Sequence, residues 1–133
     1  MQAIKVTGVL APCLNEDEVR KLRIRLLERL AVDVCAYAPW DAASAPKGTK
    51  RSDGWQLITD FVSTNPCLMF LDGTSSVWSI RNGGDLRKVL AESPALEFYV
   101  CDDAGSYLLC SNHHDFVVGW GSAQRWVDDL EPN

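Results

Sequence analysis

The chain has 133 residues, of which 47% are apolar and 23% charged, with a formal net charge of −5. This composition predicts one domain over residues 1–133 with its own hydrophobic core, and excludes intrinsic disorder. The longest apolar runs, such as Cys67–Leu71, are far too short to cross a membrane, and the negative charge disfavours nucleic acid and anionic membrane surfaces and favours a basic protein as partner.

The N-terminal segment lacks the charged-then-apolar order of a secretory signal, so we expect a cytoplasmic protein. Five cysteines, an odd number at wide intervals with no C-x-x-C pair, predict free buried thiols and no structural zinc. We therefore expect no metal and no cofactor. The cysteines are Cys13, Cys35, Cys67, Cys101 and Cys110.

The first ten residues have a weak alternation that predicts a short strand, and a strong helix signal follows. Asn15 and Glu18 have the spacing of a capping box, with acidic residues in the first turn. The predicted helix runs to about Val32. Its buried stripe comprises Val19, Leu22, Leu26 and Leu30, widened by Leu27.

Residues 35–54 contain prolines and glycines among small and polar residues, which predicts a long loop. Trp40 lies in this segment. Two interpretations of Trp40 stay open: the indole folds back onto the core, or it contacts a partner.

Ser52 and Asp53 are predicted to cap a second helix, which ends before Pro66. Cys67–Leu71 and Val77–Ile80 then predict a hairpin around Asp72-Gly73. After this hairpin, Asp85 is predicted to open a short helix that ends before Pro94.

Two further strands are predicted at Leu96–Cys101 and Ser106–Cys110. A three-residue loop with Gly105 in the left-handed conformation would place apolar side chains on one face. A two-residue turn would instead set Cys101 opposite Cys110 and mix polar with apolar side chains. The preferred register pairs Val100 with Leu108 and Phe98 with Cys110.

Phe116–Trp120 predicts a last strand, and Gly121-Ser122 the start of a final helix. The elements do not alternate as in a doubly wound parallel fold. The predicted fold is therefore α+β, a single domain with a mostly antiparallel sheet packed against about four helices.

The densest polar group is Asn112-His113-His114-Asp115, between two apolar strands. Histidine beside aspartate is typical of acid/base pairs and metal ligands. Neighbouring residues of a strand point to opposite faces, however, and the chain has no other histidine. We favour a structural interpretation, in which Asn112 and Asp115 bond the backbone of a tight turn, one histidine packs inward and the other faces water.

The segment from Glu97 to Cys101, the segment Tyr107–Asp115 and the later Gly119 and Gly121 carry a resemblance. They resemble small bacterial proteins with an N-H-H-D turn near the C-terminus, some of which are similar to immunity proteins encoded beside polymorphic toxins. The resemblance implies a non-catalytic binding protein and assigns no catalytic residue.

Three hypotheses of function follow. The first is an immunity-type protein that binds a toxin domain or another basic protein. The second is a small hydrolase-like enzyme that uses His113, His114 and Asp115, with or without a metal, and the third is a scaffold or homodimer subunit with Trp78 and Trp120 on an exposed sheet face. The predicted partner contacts of the first hypothesis are Trp40, Asp102, Asp103, His114 and Asp115.

Overall fold

The computed structural model describes residues 4–6, 8–34, 45–71, 76–92 and 97–133. Four helices and eight strands lie in these ranges. In chain order they are β1 (Ile4–Val6), β2 (Val9–Ala11), α1 (Glu16–Leu30), β3 (Thr49–Lys50), α2 (Gly54–Val62), β4 (Cys67–Leu71), β5 (Val77–Ile80), α3 (Gly83–Ala91), β6 (Phe98–Cys101), β7 (Tyr107–Ser111), β8 (Phe116–Gly121) and α4 (Gln124–Asp128).

Six of the strands form one sheet in the order β3-β8-β7-β6-β4-β5, and every pairing within it is antiparallel. β1 and β2 form a separate antiparallel pair. The predicted α+β fold with an antiparallel sheet and four helices is confirmed. None of the described helices combines the length and the apolar character that crossing a membrane requires.

Both faces of the sheet are covered. α1 packs on one face, where Val19, Leu22 and Leu26 join a cluster with alternate residues of the central strands. α2, α3, α4 and β2 pack on the other face. β6 consequently has four consecutive buried residues, as expected for a strand between two layers.

α1 begins as predicted. The Asn15 side chain accepts a hydrogen bond from the Glu18 backbone N–H at 2.8 Å, and Glu18 Oε1 accepts one from the Asn15 N–H at 2.9 Å. The helix ends at Leu30, followed by Ala31 in the left-handed conformation. Leu27 is 54% exposed, so the expectation that it widens the buried stripe is wrong.

The predicted register between β6 and β7 is wrong by one residue. Val100 pairs with Leu109 and Phe98 with Ser111, while Cys110 lies opposite Tyr99. The prediction assumed one buried face. Because both faces are buried, moving either strand by one residue exchanges two apolar surfaces, and burial does not distinguish the registers.

The loop predicted over residues 35–54 is shorter at its C-terminal end. Thr49–Lys50 forms an edge strand paired with β8, and α2 begins at Gly54. Trp40 lies outside the described residues, as does the predicted Asp72-Gly73 turn.

α2 begins at the predicted position but lacks the predicted side-chain cap, and α3 begins earlier than predicted. Asp53 occupies the N-cap position of α2, but its carboxylate binds the Arg51 guanidinium, with both N···O distances 2.9 Å. α3 begins at Gly83 instead of Asp85, because the Asn82 side chain accepts from the Asp85 N–H at 2.8 Å and caps the helix two residues earlier.

The premise of the scaffold hypothesis is wrong. Trp120 is 5% exposed and Trp78 is only partly exposed, because helices cover both faces of the sheet. None of Cys13, Cys67, Cys101 and Cys110 forms a disulfide bond, and the last three are buried. The expectation of buried thiols without disulfides is thus confirmed at Cys67, Cys101 and Cys110, while Cys13 is only partly buried and Cys35 lies outside the described residues.

Candidate functional site

Four of the five predicted contact residues fall into two groups at opposite ends of β7, and the fifth, Trp40, lies outside the described residues. Asp102 and Asp103 lie in the turn between β6 and β7, whereas His114 and Asp115 lie in the turn between β7 and β8. β7 has five residues, so a rise of about 3.4 Å per residue separates the two turns by roughly 17 Å. A single partner that contacts both turns would have to extend along the whole length of β7.

The β6–β7 turn is held by the Asp102 carboxylate. Asp102 Oδ1 accepts from the Ser106 N–H at 2.8 Å, and Oδ2 accepts from the Ser106 hydroxyl. Gly105 adopts φ +71°, as predicted, and its backbone lies against α1, where a Cβ would come within 3.6 Å of Arg25. The turn is thus fixed from within and supported by a helix.

Asp103, in contrast, projects from the turn. Its side chain is 91% exposed, and its Oδ1 lies 3.4 Å from the Arg25 guanidinium of α1. Arg25 Nε is buried without a hydrogen-bond partner among the described residues. This ion pair is therefore long and incompletely satisfied.

Beside this turn is a cleft of about 650 Å³, which we call the turn cleft. It lies between the turn, the end of α2 and the starts of α1 and β4. Asp102, Asp103 and Ser106 supply polar groups at its β6–β7 side. Its apolar lining comes from Leu14, Phe61, Val62, Pro66, Leu68 and Tyr107.

Two reactive groups also line the turn cleft, and both stay protonated near neutral pH. Burial raises the pKa of the Cys67 thiol to about 12 and raises the pKa of Tyr107 well above its ordinary value. The thiolate, not the thiol, is the nucleophile in cysteine chemistry. Cys67 is therefore not activated as a nucleophile. The apolar lining and the two carboxylates suit the turn cleft to binding apolar and cationic groups.

The β7–β8 turn is organised by Asn112. This side chain is 6% exposed, and its Oδ1 accepts from the His114 N–H at 2.9 Å and the Phe116 N–H at 3.1 Å. The predicted structural role of Asn112 is confirmed. Asp115 has φ +62° and takes part through its backbone, where its carbonyl accepts from the Arg51 N–H at 2.7 Å.

Both histidines of this turn are exposed, so the expectation that one packs inward is wrong. Asn112 occupies the buried position instead. The His113 and His114 rings lie 3.9 Å apart between centroids, and His113 Nδ1 lies 2.9 Å from Glu97 Oε1. Within the described segments, no three histidine, cysteine or acidic residues are placed to hold a metal ion.

No family model, curated protein or solved structure matches this chain. The resemblance of the N-H-H-D turn to immunity-like proteins therefore stays a prediction.

Sequence reasoning missed residues at both ends of β7. Glu97 lies beside the β7–β8 turn because Phe98, the next residue, pairs with Ser111. The sequence-based register, which is wrong by one residue, does not reveal this contact. The partner of Arg25, Asp103, is 78 positions away in the sequence, so no local pattern indicates this pair. No local signal links Phe61 to Tyr107, whose rings form one wall of the turn cleft at a centroid distance of 5.0 Å.

Proposed function

We propose that the chain is an immunity-type protein of the bacterial cytoplasm that neutralises a toxin domain, or another basic protein, by binding it at the turn cleft. The supporting observation is the combination of an apolar concave surface with two carboxylates at one side. The proposal does not depend on a catalytic group.

Physical chemistry favours a basic partner at this surface. Acidic groups accelerate the encounter with a positively charged protein, and the net charge of −5 acts in the same direction. Aromatic side chains such as Phe61 and Tyr107 provide buried contact area, and such contacts dominate the slow dissociation of tight complexes.

The turn cleft is preferred over the β7–β8 turn as the contact surface. No residue of the β7–β8 turn lines the cleft. The Asn112 side chain is already engaged with two backbone N–H groups. Of the residues predicted from the sequence, Asp102 and Asp103 are therefore retained as partner contacts, and His114 and Asp115 are not required.

The test is binding and neutralisation with the product of the neighbouring gene. We expect a stoichiometric complex in gel filtration and loss of that protein's activity on addition of this chain. Failure to form a complex with both proteins pure and at tens of micromolar concentration would contradict the proposal.

The second candidate is the hydrolase-like enzyme. The observation that favours it is the contact of 2.9 Å between Glu97 and His113, since a carboxylate can orient an imidazole for proton transfer. A turnover activity that is lost in both His113→Ala and Glu97→Gln, with the fold intact, would support this candidate. Such an activity would also overturn the first.

A further inference from the structure

The turn cleft has a rigid apolar wall. Phe61 contacts Tyr107 edge to face, with ring centroids 5.0 Å apart and planes at 76°, and Trp126 packs against Phe61 at the same centroid distance. Both rings of the Phe61–Tyr107 pair line the cleft. The aliphatic stem of a long side chain could cover this wall without moving it.

The polar side of the cleft has one fixed carboxylate. Asp102 accepts two hydrogen bonds from Ser106, whereas an ionised carboxylate has about four lone-pair sites. Asp102 is therefore held in place and keeps the capacity to accept from a ligand.

The second carboxylate has a weak internal partner. Arg25 reaches Asp103 at 3.4 Å, and Asp103 is 91% exposed. Exposed ion pairs are weak because water and salt screen both charges. An incoming cation that also gains apolar contact would compete successfully for Asp103.

From these contacts we propose that the turn cleft holds an arginine side chain of the protein partner, and that Arg25 competes with it for Asp103. The inference rests on the proposed function only in taking the arginine from a protein. Arginine fits because its planar guanidinium has five N–H donors and can serve two adjacent carboxylates, while its stem is apolar. An uncharged apolar ligand would leave the carboxylates desolvated and unpaired.

The first experiment is an NMR titration with short blocked peptides. The probes are acetyl-Gly-Arg-Gly-amide, the citrulline peptide of the same shape without the charge, and spermidine as a free polycation. We expect the arginine peptide to shift the backbone amide signals of residues 61–65, 67–68 and 102–107, and the other two probes to bind at least several-fold more weakly. Equal binding of citrulline, tighter binding of spermidine, or shifts confined to other residues would overturn the proposal.

The second experiment uses variants. Asp103→Asn and Asp102→Asn should each weaken binding of the arginine peptide several-fold, because each removes a negative charge from the cleft. In Asp102→Asn the side chain keeps an acceptor oxygen for Ser106, so the turn is preserved. Asp128→Asn, an equal charge change on α4, should not alter binding. Arg25→Gln should strengthen binding about 2- to 5-fold, the equivalent of a surface ion pair. Unchanged binding in Arg25→Gln would refute the competition.

The two proposals fail differently. If the arginine peptide binds the turn cleft but the neighbouring gene's product does not bind the chain, the immunity function fails and the arginine site stands. If the partner protein binds with equal affinity to the native chain, Asp102→Asn and Asp103→Asn, the arginine site fails and the immunity function stands.

Discussion

The two turns at the ends of β7 are closed by the same kind of hydrogen bond. They differ in whether the side chain that closes the turn can still bind a ligand. In each, an Asp or Asn side chain accepts from the N–H four residues on, Asp102 from Ser106 and Asn112 from Phe116. Each also contains a residue with positive φ. Asn112 is neutral and buried, whereas Asp102 is charged and borders a cleft. One turn therefore stabilises the fold, and the other also presents charge to a ligand.

Raising the pH should have the largest effect on the free energy of unfolding, and it should act at the end of β7 that borders the turn cleft. The pKa of Cys67 is about 9 in an unfolded chain and about 12 in the fold. Below pH 9 both states hold the proton, so stability is unaffected. Above pH 9 the unfolded state loses it first, and the free energy of unfolding falls until about pH 12. For Cys67 alone we expect a loss on the order of 2–3 kcal/mol by pH 11.

Denaturant titrations from pH 8 to 11 measure this loss, and Tyr107 should add to it, because its pKa is also raised by burial. Pulsed alkylation checks the site: Cys67 should remain unmodified at pH 8 in the folded protein and react after unfolding. Rapid native-state labelling of Cys67 would contradict its burial.

The second-largest effect is expected from removing the side chains that close the two turns, and the loss of stability should differ between them. Asn112→Ala removes a buried side chain and leaves the backbone N–H groups of two exposed residues, His114 and Phe116, without their protein acceptor, and we expect a loss of about 2 kcal/mol. Asp102→Ala, which removes a more exposed side chain, should cost about 1 kcal/mol. Chemical denaturation measures both. Equal losses would show that burial does not distinguish the turns.

The positive-φ residues should respond in opposite directions. Gly105→Ala places a Cβ at φ +71° without a severe contact, so the cost of about 1 kcal/mol comes from the backbone conformation. Asp115→Gly relieves the same strain and should raise stability by a few tenths of a kcal/mol. Thermal melts of the pair measure the difference, and destabilisation by Asp115→Gly would indicate a structural role for its carboxylate.

The smallest effect is expected from the contact between Glu97 and His113 beside the β7–β8 turn. Glu97→Gln removes a charge but keeps Oε1 as acceptor for the His113 N–H, at 3.1 Å in the native chain. We expect a loss of a few tenths of a kcal/mol that disappears at high salt. Denaturant midpoints at low and high salt test this, and a larger, salt-independent loss would point to packing instead.

Local signals predicted the fold where the chemistry is local. The Asn15 capping box and the strands at Cys67–Leu71 and Val77–Ile80 depend on neighbouring residues, and the structure confirms them. The β6–β7 register failed because its argument needed one solvated face, and the sheet has none at these strands.

The candidate site was only half predictable. Consecutive turns of an antiparallel meander lie at opposite ends, so Asp103 and His114 could have been assigned to separate surfaces from topology alone. The turn cleft could not be predicted, because its walls come from three distant segments, around Leu14, Phe61 and Tyr107. Their meeting depends on how α2 and α1 pack against the sheet.

The two layers of helices around the sheet determine where this protein can change without losing its fold. A substitution within β6 or β7 alters a packed interior whichever way the side chain points, so those strands tolerate little variation. Within the segment Asp102–Ser106, the Gly105 backbone lies against α1, and Asp103 reaches Arg25 of α1 only at 3.4 Å. A library randomised at 103 and 104, with Asp102, Gly105 and Ser106 kept, would therefore be a practical starting point for redirecting the chain to new partners.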